Sequence, residues 1–222
     1  MILSGLPPIG EVAMKICPIL MFAVSACLLM ANDAHGQSGA TASQMPYLRG
    51  IDFFAEEIEL TIADTLASVK GTYYFRNGTQ KRGDFPVIFP FYTDSLIDFP
   101  VNIEAYIEGD SARRPLYYRI QANRSAVMIG IPMTPDSVTI WHLDYSQVVC
   151  GNYARYILSS TGAWSKPLEE AIYRFIVPAA LNNVRVWPEP DSIITGDSVN
   201  TLVAHKKAFM PRREMEISWQ RK

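Results

Sequence analysis

Glu57-Ile58-Glu59-Leu60-Thr61-Ile62 is the stretch that decides the fold class. Its apolar and polar residues alternate with period two. Ile58, Leu60 and Ile62 therefore share one face, and Glu57, Glu59 and Thr61 share the other, as in a strand with one side in a core and one in water. The pattern recurs downstream. Val69, Gly71, Tyr73 and Phe75 mark a second strand, closed by the turn dipeptide Asn77-Gly78. Val87 to Phe91 is a short apolar run broken by Pro86 and Pro90, which suits a sheet edge because proline cannot donate to a ladder. Val101, Ile103, Ala105 and Ile107 alternate again and stop at Gly109-Asp110. Leu116 to Gln121 and Ala126 to Ile131 form a hairpin across Ala122 to Ser125. Val138 to Val149 is a long strand with Trp141, Leu143 and Tyr145 on one side. Tyr153 to Ser159, Ala171 to Val177, Val184 to Trp187 and Glu214 to Trp219 complete a set of about ten strands separated by turn signals, as in an all-β sandwich.

The expected fold is an all-β, antiparallel two-sheet β-sandwich, immunoglobulin-like in general architecture, preceded by a signal-peptide helix. Residues 45–222 form the sandwich as one domain. Two small halves divided near Pro132 to Pro135 are the alternative, disfavoured because each would be short for a core of its own. One segment, Ser165 to Ala171, reads as helical, with Pro167 in its first turn.

The first 36 residues read differently. Ile16 to Ala31 carries no charge, follows Lys15 and precedes Asn32-Asp33. At about 16 residues with a proline, it is short for a membrane span and fits the apolar part of a secretory signal. Ala34-His35-Gly36 places small residues where a signal peptidase needs them, so cleavage is expected between Gly36 and Gln37. Met14-Lys15 is the expected start. Residues 37–44 form a small, polar leader. Val24-Ser25-Ala26-Cys27 also resembles a lipidation site. An acylated Cys27 or an uncleaved signal would anchor the chain to a membrane, although Leu28-Leu29-Met30 continue the apolar run past the cysteine. The expected location is periplasmic or secreted, with anchoring at the N-terminus as the alternative.

Of 222 residues, 49% are apolar and 19% charged, enough for a real core. The formal net charge of −2 argues against a nucleic-acid partner, which demands clustered cations. Cys17 and Cys27 lie in the signal. Cys150 alone remains after cleavage, so no internal disulfide forms, and its place after Val148-Val149 reads as a buried, inert thiol.

Candidate chemistry is sparse. His142 and Asp144 are two apart in a strand and share a face with Ser146, the arrangement a hydrolase would need for a base and its orienting carboxylate. On an open sheet the three stand in a row rather than in a pocket, which a solvated strand face explains better. No spacing suggests a metal site, and no cofactor is expected. Lys206-Lys207 with Arg212-Arg213, offset by Glu214 and Glu216, read as a solvated loop, with an anion or lipid-headgroup site as the alternative. Trp164 and Trp187 fall outside the inward register, so they are candidates for a glycan-stacking surface. Asn77-Gly78-Thr79 and Asn123-Arg124-Ser125 match the N-glycosylation triplet and are read as turn residues.

Two stretches carry a resemblance. Val69 to Asn77 with Phe85 to Phe91, and Tyr145 to Pro178, resemble exported bacterial β-sandwich domains of unknown function. The second contains the Tyr-Ile-Leu…Trp-x-x-Pro-Leu segment at Tyr156, Ile157, Leu158, Trp164, Pro167 and Leu168. The resemblance implies a fixed connection between two strands plugged by an indole. It implies no activity. The sequence thus predicts an exported, non-enzymatic envelope protein, a binding or structural module whose partner is an unknown envelope protein or glycan. A hydrolase using His142 and Asp144, or a carbohydrate-binding module using exposed tryptophan, are the alternatives.

Overall fold

A strand that buries every second side chain needs neighbours that bury theirs on the same side, and the register of the computed structural model meets that condition. The structure describes residues 49–108 and 112–220. The expected signal at 1–36, with Cys27 and the Gly36–Gln37 junction, and the leader at 37–44 lie outside the described residues. In chain order the strands are β1 (Ile51–Ala63), β2 (Leu66–Asn77), β3 (Gly83–Pro90), β4 (Val101–Glu108), β5 (Arg113–Pro115), β6 (Tyr118–Ile120) and β7 (Ala126–Met133). They continue as β8 (Ser137–Val148), β9 (Tyr153–Tyr156), β10 (Leu168–Pro178), β11 (Asn182–Trp187), β12 (Ser192–Thr195), β13 (Val199–Phe209) and β14 (Met215–Gln220).

The protein is all-β, but it is not the antiparallel two-sheet arrangement expected. Eight strands form one sheet in the order β12-β13-β10-β1-β2-β8-β4-β5. Two three-stranded sheets, β11-β14-β9 and β3-β7-β6, stand apart from it. At the centre of the large sheet β1 and β10 run parallel, with Ile58 beside Tyr173 and Leu60 beside Phe175. Parallel neighbours require a long crossover, and the chain makes it through β2 to β9. Period two specifies a face and says nothing about direction, which is why the alternation missed this pair. Strands from before and after Pro132 to Pro135 share the large sheet, β2 pairing with β8 along its whole length.

One face of the large sheet makes the core. Ile58, Leu60, Val69, Tyr73, Trp141, Leu143, Tyr173 and Phe175 are buried there. The smaller sheets supply Phe89, Val127, Ile129 and Ile131, and Tyr156, Met215 and Ile217, to the same cluster. Aromatic rings dominate. Tyr73 stacks on Trp141 with centroids 4.5 Å apart, and Phe53 on Phe75 at 4.9 Å. Gly71 lies between Val69 and Tyr73 in the inward row, and a Cβ there would overlap the Tyr73 hydroxyl.

Phe53 and Glu56 both point inward although their spacing is odd. A bulge between Phe53 and Ala55 absorbs the extra residue. It brings Glu56 into phase with Ile58, Leu60 and Ile62, so a carboxyl sits in the core, 2% exposed, accepting a 2.7 Å hydrogen bond from the Tyr173 hydroxyl.

Two further expectations change. Ser165 to Ala171 is not helical: β10 already begins at Leu168, and the short 3-10 helix lies earlier, at Ser159–Trp164. Glu214 sets that position, accepting hydrogen bonds from the Leu158 and Ser159 amides at 2.6 and 3.1 Å and from the Ser159 hydroxyl. Cys150 is exposed, not buried. The inward phase of β8 ends on Val149, so Cys150 takes the outward phase.

Candidate functional site

Three strands build a depressed surface, and the register states which side chains meet on it. In the β11-β14-β9 sheet Trp187 stands opposite Glu216, and Glu216 opposite Arg155. One step along, Arg185 stands opposite Ser218, and Ser218 opposite Tyr153. Directly opposed residues share a face, and positions two apart do too. Trp187, Arg185, Glu216, Ser218, Arg155 and Tyr153 therefore form a two-row array on the outer side. Val186, Ile217 and Ala154 alternate with them. Arg213, from the turn before β14, folds over the array with its guanidinium carbon 5.1 Å from the Trp187 ring centroid. These residues line a depression of about 310 Å³.

The charges are uneven. Glu216 accepts a hydrogen bond from Arg213 Nη2 at 2.9 Å and forms an ion pair with Arg155 Nε at 3.1 Å. Arg155 also donates from Nη1 to the Tyr92 hydroxyl at 2.7 Å. Tyr153 donates its hydroxyl to Asp94, whose carboxylate is further held by the Leu96 and Ile97 amides. Arg185 is exposed and has no ion pair among the described residues. Two guanidinium groups thus hold one carboxylate, and a third, Arg185, lines the same depression.

The other predicted site residues fall elsewhere. His142 and Asp144 lie on the outer face of the large sheet, and Ser146 follows in the same row, as the alternation implied. They are not hydrogen-bonded to one another. His142 Nδ1 meets Thr72 Oγ1 at 3.1 Å, and its ring stacks on Tyr106 at 4.7 Å and 10°. Its Nε2 is buried, without a hydrogen-bond partner among the described residues. Asp144 accepts from the Tyr106 hydroxyl at 3.3 Å, and Ser146 pairs with Ser68 at 2.8 Å. Arg113 covers the other side of Tyr106, 4.3 Å from its ring centroid. Burial lowers the imidazole pKa and raises that of Asp144, so each is pushed toward its neutral form.

Trp164 packs on the core, edge-on to Phe75 at 5.1 Å and to Phe53 at 6.0 Å. Trp187 lies in the depression, but Arg213 covers one face of its ring. Of the basic cluster, Arg213 joins the array. Lys206 pairs instead with Asp191 at 3.1 Å.

Sequence reasoning missed Arg155, Arg185 and Tyr153. The signal was present as three i, i+2 pairs: Tyr153/Arg155, Arg185/Trp187 and Glu216/Ser218. Each reads as an ordinary solvated strand face until the strands are placed side by side. Among the described residues no group of three or more His, Cys, Asp or Glu side chains could hold a metal ion. No helix among them is long and apolar enough to cross a membrane.

No protein-family model and no curated protein matches the chain. Among solved structures, a "putative nutrient binding protein" of Legionella pneumophila superimposes with a TM-score of 0.55 at 14% identity, covering 77% of this chain and 67% of that one. An M1 zinc metallopeptidase of Deinococcus radiodurans superimposes with a TM-score of 0.48 at 11% identity, covering 77% of this chain and 43% of the peptidase. This chain therefore spans less than half the length of that enzyme. At 14% identity the likeness to the Legionella protein is one of fold, and it bears on the β-rich architecture.

Proposed function

We propose that this protein is an exported, non-enzymatic binding module of the bacterial envelope, and that it binds through the outer face of the β11-β14-β9 sheet. The observation that carries this reading is the array of Arg155, Arg185, Arg213, Trp187 and Tyr153 around one depression. Polar groups converging on a concave surface with aromatic walls are what ligand recognition needs. Nucleophilic catalysis asks for something else, a base within reach of a nucleophile and of substrate. The His142 imidazole is committed to Thr72 and Tyr106, and its second nitrogen is covered. The likeness in fold to the Legionella protein fits a binding role. Export rests on Lys15, the apolar run Ile16 to Ala31 and the small residues before Gln37.

Nuclear magnetic resonance spectra of the full chain, recorded against pools of small metabolites and oligosaccharides, test this reading. Ligands that shift signals of Tyr153, Arg185, Trp187 and Ser218 support it. Turnover of a pool member that disappears in His142→Ala would refute it.

A further inference from the structure

We infer that the ligand of this face is a compact anion bearing phosphate or carboxylate, held first by Arg185. This inference rests on the binding role proposed above and adds the ligand's chemistry.

The argument is a count of free donors. A guanidinium has five N–H groups in a planar fork and matches a carboxylate or phosphate edge to edge. Arg155 donates Nη1 to Tyr92 and is neutralised by the ion pair of its Nε with Glu216. Arg213 spends Nη2 on Glu216. Arg185 spends none on an ion pair among the described residues, and its fork stands in the row of Ser218 and Tyr153. The lining carries Arg155, Arg185 and Arg213 against Glu216, and Asp94 holds the Tyr153 hydroxyl beside it, so three cations face two carboxylates and a positive excess of one remains next to two aromatic rings.

The same geometry argues against a neutral sugar. A pyranose would stack on an open indole face, yet Arg213 lies over Trp187, and Trp164 is packed against Phe53 and Phe75. An anion displaces nothing there. It adds to Arg185, to the remaining donors of Arg213 and to the Ser218 hydroxyl.

Inorganic pyrophosphate and citrate are suitable probes. Each is titrated separately into the full chain while amide and indole signals are followed. The expected result is saturable shifts at Tyr153, Arg185, Trp187 and Ser218, weakened by added salt. Arg185→Ala should raise Kd about tenfold, the usual worth of one charge-assisted pair. Arg185→Lys should recover only part of that loss, because an ammonium lacks the fork. The inference is overturned if neither anion shifts the face, or if Arg185→Ala leaves Kd unchanged in a chain whose other signals are unaltered. Neutral chitohexaose shifting the face where both anions fail would overturn the anion assignment and leave the binding role standing. A face silent to these probes and to the pools would overturn both. Vesicles separate the two sources of such an anion. Arg185-dependent sedimentation with phosphatidylglycerol vesicles, absent with phosphatidylcholine, assigns a lipid headgroup. Pyrophosphate binding without sedimentation assigns a soluble anion.

Discussion

Replacing Glu56 by glutamine should remove a pH dependence that the wild-type fold carries in its core. Glu56 is fully enclosed between the sheets, with the Tyr173 hydroxyl as its hydrogen-bond partner at 2.7 Å. Desolvation dominates and pushes its pKa from 4.5 up to about 7, with the Tyr173 bond opposing it. The neighbouring hydroxyls of Tyr73 and Tyr156, 3.0 Å apart, are themselves raised by burial, so they stay neutral and offer no counter-charge. A carboxyl with a raised folded pKa binds its proton more tightly in the native than in the unfolded chain. Its contribution is fully present below pH 4.5 and is lost as pH rises to about 7, after which stability is flat in this group. The rise from 4.5 to about 7 corresponds to roughly 3 kcal/mol.

Urea denaturation of wild type and Glu56→Gln at about pH 5 and about pH 8.5 measures this. Wild type should lose about 3 kcal/mol more than the variant on going to the higher pH. The variant keeps an oxygen to accept from Tyr173 but buries an amide with no assigned acceptor, so at the lower pH it should be the less stable of the two by about 1–2 kcal/mol. Parallel pH profiles for the two chains would refute the reasoning. They would mean that the carboxyl titrates normally and that the core admits water at Glu56.

Two structural predictions accompany it. Trp164→Ala should destabilise by about 2–4 kcal/mol in thermal or urea unfolding, because the indole edge closes the core over Phe53 and Phe75. Trp164→Phe should restore part of that loss. Asn77→Ala should cost about 2–3 kcal/mol by the same measurement, since the amide donates to the Lys81 and Thr134 carbonyls at 2.8 Å each and its oxygen accepts from Thr79. That engagement also closes Asn77 to glycosylation. Mass spectrometry should find it unmodified even in a host that glycosylates its triplet.

Particular residues show how far the sequence reaches. Ile58, Leu60 and Ile62, and likewise Trp141, Leu143 and Tyr145, were assigned inward from alternation, and all six are buried. Each strand bounded by a core carries that signal within itself. β13 was overlooked for a local reason. Its inward positions include Ala204, small because it sits beside Tyr173, so the apolar contrast is weak. Glu56 was legible in principle, being in phase with Ile58, but only the bulge and the opposing sheet make it a solitary carboxyl among tyrosines.

What the sequence determined by itself was the class of structure and the direction of most side chains. Period two is a property of the backbone and needs no partner. The tertiary structure alone decided which strands are neighbours. It made β1 and β10 parallel, and it brought Arg155, Arg185 and Arg213 onto one surface from distant parts of the chain. Strand pairing is chosen by the free energy of whole registers, in which every inward row must pack at once. No local pattern carries that choice, so the candidate binding face became visible only when three unremarkable alternations were set side by side.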